Sequence, residues 1–152
     1  VSVSKAPAFK AALFTAITAV MPSGVRVTYG HPGAIGDDDI VAVRDVSFSQ
    51  EVSTMSAQRS REETIICQVQ FSCWRGGTDQ QTVTERAYYL LGLLEQYVQD
   101  PGTVSSVQIT LGGVVRDCRV TSAELVEGAD PDDLARGRVA EIDATVTARV
   151  RI

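Results

Sequence analysis

Residues 64–74 read Thr64-Ile65-Ile66-Cys67-Gln68-Val69-Gln70-Phe71-Ser72-Cys73-Trp74. Ile65, Cys67, Val69, Phe71 and Cys73 share one parity, while Gln68, Gln70 and Ser72 share the other. Successive strand side chains point to opposite faces, so this alternation predicts a central strand with one buried side. A second long strand is expected over Ile40 to Val52, with Val46, Phe48 and Val52 on one face. The parity breaks between Val43 and Val46, which predicts a bulge near Arg44-Asp45. The intervening Ser53 to Glu63 is polar, lacks Gly and Pro, and carries Arg59 and Arg61. Two long strands joined in this way predict a protruding β-hairpin arm.

Upstream, Phe9, Leu13, Ala16, Ile17 and Val20 recur at helical spacing, and Pro7 suits a first turn, where its missing N–H costs nothing. Met21-Pro22-Ser23-Gly24 stops this helix, and Val25 to Tyr29 forms a short strand. Downstream of Gly76-Gly77, Thr78-x-x-Gln81 predicts a capping box. The helix that follows places Val83, Ala87, Leu90, Leu91, Leu94 and Val98 on one face and ends at Asp100-Pro101-Gly102. Val107, Ile109 and Leu111 then alternate, Gly112-Gly113 turns the chain, and Val114 to Val126 returns as a strand. The last strand, Arg138 to Ile152, turns Ala140, Ile142, Ala144, Val146, Ala148, Val150 and Ile152 to one side.

The expected fold is therefore α+β, in the order α-βββ-α-βββ. Short turns between neighbouring strands argue for a mainly antiparallel sheet with the two helices packed on it. The 152 residues, 44% hydrophobic and 22% charged, suit one domain over 1–152 with a single core. The apolar Ala8 to Met21 is shorter than a bilayer span, and its helical stripe assigns it to the fold rather than to a leader.

A net charge of -5, without a basic stripe, opposes broad contact with a phosphate backbone. The best local positive patch is Arg59 with Arg61. Cys67, Cys73 and Cys118 are odd in number and lack CxxC spacing, which favours buried reduced thiols over a disulfide or zinc framework. His31 is the one histidine, lies in a Gly/Pro loop, and is read as a solvated or hydrogen-bonded surface residue. Asp37-Asp38-Asp39 is read as a solvated charge run. A calcium loop starting at Asp130 fails because Leu134 takes a ligand position and Ala135 the turn glycine. No catalytic, cofactor or metal residues are assigned. Tyr88, Tyr89 and Tyr97 cannot all share the apolar stripe of their helix. They form either surface for a partner or the rim of the protein's own core.

The order of a leading helix, an arm between two long strands, a glycine break and a second amphipathic helix resembles the tail terminator proteins of long-tailed bacteriophages. The residues behind this are Pro7 to Val20, the Val46–Val52 and Ile65–Trp74 strand pair, Thr78 to Val98, and Arg138 to Ile152. The opening Phe9-Lys10-Ala11-Ala12-Leu13-Phe14 and the run Arg86-Ala87-Tyr88-Tyr89-Leu90-Leu91 look like this family in phages of actinobacteria. The resemblance implies a non-enzymatic virion structural protein. It would form a homo-hexameric ring at the head-proximal end of the tail, ending tube polymerisation and joining the tail to the head. Its implied partners are itself, the tail tube protein and a head-neck connector protein. DNA would pass only transiently through the lumen, no membrane or cofactor is involved, and assembly would occur in the host cytoplasm. The candidate interaction residues are Met55, Arg59 and Arg61 of the arm, with Tyr88 and Tyr89. Within the same class the alternative is a different neck or tail-tube protein, told apart by whether the chain forms closed rings or long tubes, and two other classes compete. One is a binding module with a pocket near His31 and Trp74, and the other an enzyme pairing His31 with an aspartate from Asp37 to Asp39.

Overall fold

The alternation in residues 64–74 produces the centre of a five-stranded sheet. In a computed structural model, which describes residues 3–31, 38–52, 61–76, 79–99, 110–127 and 137–152, the elements are α1 (Ala6–Val20), β1 (Val25–Tyr29), β2 (Asp39–Val52), β3 (Arg61–Arg75), α2 (Gln80–Gln99), β4 (Asp117–Glu127) and β5 (Arg138–Arg151). The strands lie side by side in the order β1-β2-β3-β5-β4. Three of the four ladders are antiparallel, and β1 runs parallel to β2. The fold is α+β with a mostly antiparallel sheet.

Both helices cover one face of that sheet. Ile65, Cys67, Val69, Phe71 and Cys73 of β3 are fully buried there, beside Val41 and Val43 of β2 and Ala140, Ile142, Ala144, Val146 and Ala148 of β5. The alanines of β5 leave room for α2, which presents Val83, Ala87, Leu90, Leu91, Leu94 and Val98 to them, all buried. Phe9, Leu13, Ala16 and Ile17 of α1 complete the same core. Tyr29 of β1 is held under α1 by an edge-on contact with Phe14, ring centres 5.7 Å apart, and by the Lys10 ammonium 4.3 Å from its ring centre.

The bulge falls where the parity broke: the β2–β3 register slips between Val43 and Val46, so Arg44 and Asp45 together face Gln68. Other expectations need correcting. The cap of α2 is Asp79, whose carboxylate accepts from the Thr82 N–H at 3.0 Å and the Thr82 hydroxyl at 2.7 Å. These bonds, the hydroxyl's first, hold the Asp79 carboxyl below its ordinary pKa range; Thr78 lies outside the described residues. The expected strand at Val107, Ile109 and Leu111 falls mostly outside them too. Leu111 sits in a turn with φ +49°, followed by Gly112 and Gly113 at +74° and +91°, and β4 begins only at Asp117. The stem of the expected arm is three strands wide, because β5 pairs β3 as far as Glu62↔Arg151. Its tip, residues 53–60, lies outside the described residues.

Glu63 shows how a polar residue on the inward parity of β3 is accommodated. It is fully buried, yet both carboxylate oxygens are used: one accepts from the Lys5 backbone N–H at 2.7 Å, the other from the Gln50 amide at 2.7 Å. Lys5 is the cap residue of α1 and offers no side-chain cap of its own, so Glu63 supplies a negative charge to that helix end from 58 residues away. Glu63→Gln removes the charge while keeping the shape. It is expected to lower stability by about 1 kcal/mol, read as a reduced urea midpoint at unchanged slope.

Candidate assembly surface

β1 pairs only with the first part of β2, from Val25↔Asp39 to Tyr29↔Val43. Beyond the bulge, Val46–Val52 pairs with β3 on one side, and no described strand lies on the other. Phe48 and Val52 point to the helix side but beyond the cover of α1, and are 52% and 57% exposed. Ser47, Ser49 and Glu51 point to the bare side. Glu51 stands directly opposite Glu62, a like-charge pair that costs free energy. Glu62 is neutralised by an ion pair with Arg116, whereas Glu51 has no cation beside it among the described residues. Val46–Val52 contains neither Pro nor Lys and carries one charge, so it lacks the devices that protect an edge strand from pairing.

The other end of the described sheet is β4, which among the described strands pairs with β5. Its register against buried β5 residues puts Cys118, Val120, Ala123 and Leu125 on the helix side. Arg119, Ser122, Glu124 and Val126 fall on the bare side. The register slips between Val120 and Ser122, and the Thr121 hydroxyl fills the slip by meeting the Thr145 carbonyl at 3.2 Å and the Thr147 hydroxyl at 2.9 Å. Arg119 is exposed, with Asp117 and Glu124 on the same side of the same strand. The two ends of the described sheet are thus unlike: Val46–Val52 carries Phe48, Val52 and Glu51, whereas β4 carries Asp117, Arg119, Glu124 and Glu127.

Between the edges, the bare face is polar. Arg44 donates to Gln70 at 3.4 Å, Gln70 donates to Glu141 at 3.3 Å, and Thr145 donates to Gln68 at 3.2 Å. A shallow hollow of about 230 Å³ at the bulge is lined by Arg44, Asp45, Gln68, Gln70 and Asp143. Ile66 and Trp74 stand exposed on the same face.

The candidate residues separate into different surfaces. Met55 and Arg59 lie outside the described residues. Arg61 opens β3 and donates to the Gln50 amide oxygen at 3.0 Å, so it is tied through Gln50 to Glu63. Tyr88 and Tyr89 stand outward on α2, 48% and 52% exposed, with the Arg86 guanidinium 5.3 Å from the Tyr89 ring centre. Tyr97 instead packs half-buried against the core. Arg86 bonds Asp39 at the Arg75 end of β3, so the tyrosine pair and Arg61 belong to opposite ends of the sheet.

The geometry also separates the described residues of the two competing readings; Asp37 lies outside the described residues. Gly30 donates to the Val43 carbonyl, which puts His31 past the far end of β1 from Asp39, and β1 alone is roughly 13 Å long. Trp74 lies at the Asp39 end, where its backbone N–H donates to the Asp38 carbonyl at 2.8 Å. Asp39 is itself no solvated residue. It is buried, with Arg75 bonding both oxygens at 2.8 and 3.0 Å and Arg86 bonding one at 3.1 Å. Burial alone would raise its pKa; the bonds from Arg75 and then Arg86 outweigh that and hold the carboxyl below the ordinary range.

Cys67, Cys73 and Cys118 are buried free thiols. Burial pushes them up to about 11, about 12 and about 12, so they stay protonated and unreactive at neutral pH. No three His, Cys, Asp or Glu among the described residues are grouped to hold a metal ion, and no described helix is long and apolar enough to cross a membrane.

Sequence reasoning missed Glu51, Arg119, Asp39 and Glu63. Glu63 had a readable signal, an acid on the inward parity of an apolar strand. Arg119 and Glu51 had none, because being an edge is a property of strand order. No protein-family model matches the chain, and no curated protein matches it in sequence.

Proposed function

We propose that this chain is a virion structural subunit of the tail-terminator type. It assembles into a closed ring, with six copies expected, at the head-proximal end of a phage tail. There it ends growth of the tail tube and joins it to the head-neck proteins. The observation that carries this reading is the unlike pair of strand stretches, Val46–Val52 and β4, at opposite ends of the described sheet. A surface that differs from its complement joins copies head to tail, and head-to-tail contacts close into rings when the rotation permits. The order of the elements supports the same family, and the exposed Tyr88 and Tyr89 give α2 an aromatic surface for a tube or neck protein.

The test is native mass measurement with negative-stain imaging of the purified chain, followed by complementation of a terminator-deficient phage. Rings and rescued tails of normal length are expected. A monomer at all concentrations up to about 100 μM, or persistent overlong tails and free heads, would overturn the proposal.

A further inference from the structure

We infer that two copies of this chain pair across a two-fold axis, with β1 of each lying antiparallel on Val46–Val52 of the other. This goes beyond the ring reading and does not rest on it. The outer side of β2 is stepped: β1 covers Asp39–Val43, and no described strand covers Val46–Val52. Tyr29, Phe48 and Val52 are all more than half exposed, and all three lie at this step. β1 is five residues long, short enough to fit the step of a second copy.

The backbone directions agree. Arg61 exchanges backbone bonds with Ile152, so alternate residues of β3 from Arg61 onward face β5, and those between face β2. Ser47, Ser49 and Glu51, opposite Ile66, Thr64 and Glu62, therefore face β3. Val46, Phe48, Gln50 and Val52 turn their N–H and C=O groups outward. On β1, the Gly30 N–H meets the Val43 carbonyl, so Thr28 and Arg26 also face β2, while Val25, Val27 and Tyr29 face outward.

One register matches these outward groups and both faces of the sheet. On the helix side Tyr29 opposes Phe48, Val27 opposes Gln50 and Val25 opposes Val52. Ring meets ring and valine meets valine, and the Gln50 amide is already taken by Glu63 and Arg61. Val25 gives its own N–H to Pro22 at 3.3 Å, so it contributes only its carbonyl. On the bare side Thr28 opposes Ser49, and Arg26 opposes Glu51, which has only Glu62 across from it in its own copy. Arg26 has an interaction within its own chain, and the several donors of a guanidinium leave capacity for a second acceptor. The same axis lays β1 of this copy on the partner's step, so the two β1 strands share one column end to end, with their Gly30 residues about 7 Å apart. The left-handed turn at Gly30, φ +97°, takes the chain out of the strand there. Sliding β1 two residues inward would set Gly30 on Gly30, and sliding it outward would uncover Phe48. Ring contacts that use Val46–Val52 must displace the partner's β1, so the pair withholds copies from the ring. Dimers are the form expected on dilution, and rings replace them as concentration rises.

Arg26→Cys with Glu51→Cys tests this, because a non-hydrogen-bonded antiparallel pair holds its Cα atoms about 4.5 Å apart, within disulfide range. Within one copy the two positions are separated by about 33 Å of strand, so a bond between them joins copies. Oxidation is expected to give covalent dimers and nothing larger, each single variant should stay monomeric on a non-reducing gel, and the locked dimer should form no rings until reduced. Phe48→Lys should weaken dimerisation by about tenfold or more in sedimentation equilibrium while keeping a folded circular dichroism spectrum. No covalent dimer, a ladder of multimers, dimers from Glu51→Cys alone, or a Phe48→Lys chain that pairs like wild type would overturn the two-fold pairing and leave the ring reading intact. A locked dimer that forms rings without reduction would overturn the withholding role. Wild-type dimers that never progress to rings or rescue tails would overturn the ring reading and leave the pairing standing.

Discussion

Val69→Asp and Val146→Asp are each expected to abolish the cooperative thermal transition and move the protein to the insoluble fraction. Both valines are fully buried on the helix side, and they sit two rungs apart on adjoining central strands: Val69 pairs Ala144, and Val146 pairs Cys67. An aspartate at either site would lose its hydration among Phe71, Ile142, Leu90 and their neighbours, with no cation in the apolar cluster to receive it. The cost is several kcal/mol even if the carboxyl is neutralised. Against a total stability of roughly 5–15 kcal/mol, that loss leaves little or no folded protein. Gln68→Asp provides the control: its side chain lies on the bare face of the same strand, and the variant should melt within a few degrees of wild type. A near-wild-type melt for either valine variant would mean that the sheet buries its other face.

Asp39→Ala is expected to cost about 2–4 kcal/mol, the lower half of the range reflecting the partial solvation of its partners. Arg75 and Arg86 come from different elements and meet only through this carboxylate. Without it, two guanidiniums face each other at the seam between β3 and α2. The variant should also lose part of its acid sensitivity. The Asp39 carboxyl titrates below its ordinary 3.8 in the folded protein, so as pH falls the unfolded chain binds the proton first. Its stabilisation is therefore complete above about pH 5 and declines as pH drops toward and through the folded value. Urea midpoints measured from pH 6 down to pH 2.5 should fall less steeply for Asp39→Ala than for wild type. Parallel curves would show that Asp39 is not an acid-sensitive group of the fold.

Periodicity made much of the fold legible. The parity slip between Val43 and Val46 located the bulge, and the spacing from Val83 to Val98 identified the buried face of α2. What escaped depends on neighbours distant in sequence. Alternation in Val25–Tyr29 shows a strand but carries no direction, and the parallel pairing with β2 was invisible. Asp39 looked like one of three solvated aspartates, because the arginines that bury it lie 36 and 47 residues further on. Tyr88 and Tyr89 were separable from the stripe of α2 by spacing alone, although spacing did not distinguish them from Tyr97. The edges were the least legible feature, since Val46–Val52 and β4 become edges only through the order β1-β2-β3-β5-β4.

That order has a consequence for how the chain reaches its native state. β5, the last described element, does not add to an outside edge; it inserts between β3 and β4, and its rungs with β3 join residues as far apart as Glu62 and Arg151. Such contacts give a high contact order, with large loops to close before any pairing is rewarded. On the ribosome, everything through β4 must wait with the inner edge of β3 uncovered, and a chain lacking β5 would present Ile65 to Cys73 as a sticky template. Folding should therefore be slow and sensitive to chaperone supply, and growth temperature should govern the soluble yield more strongly than any single side chain on the surface.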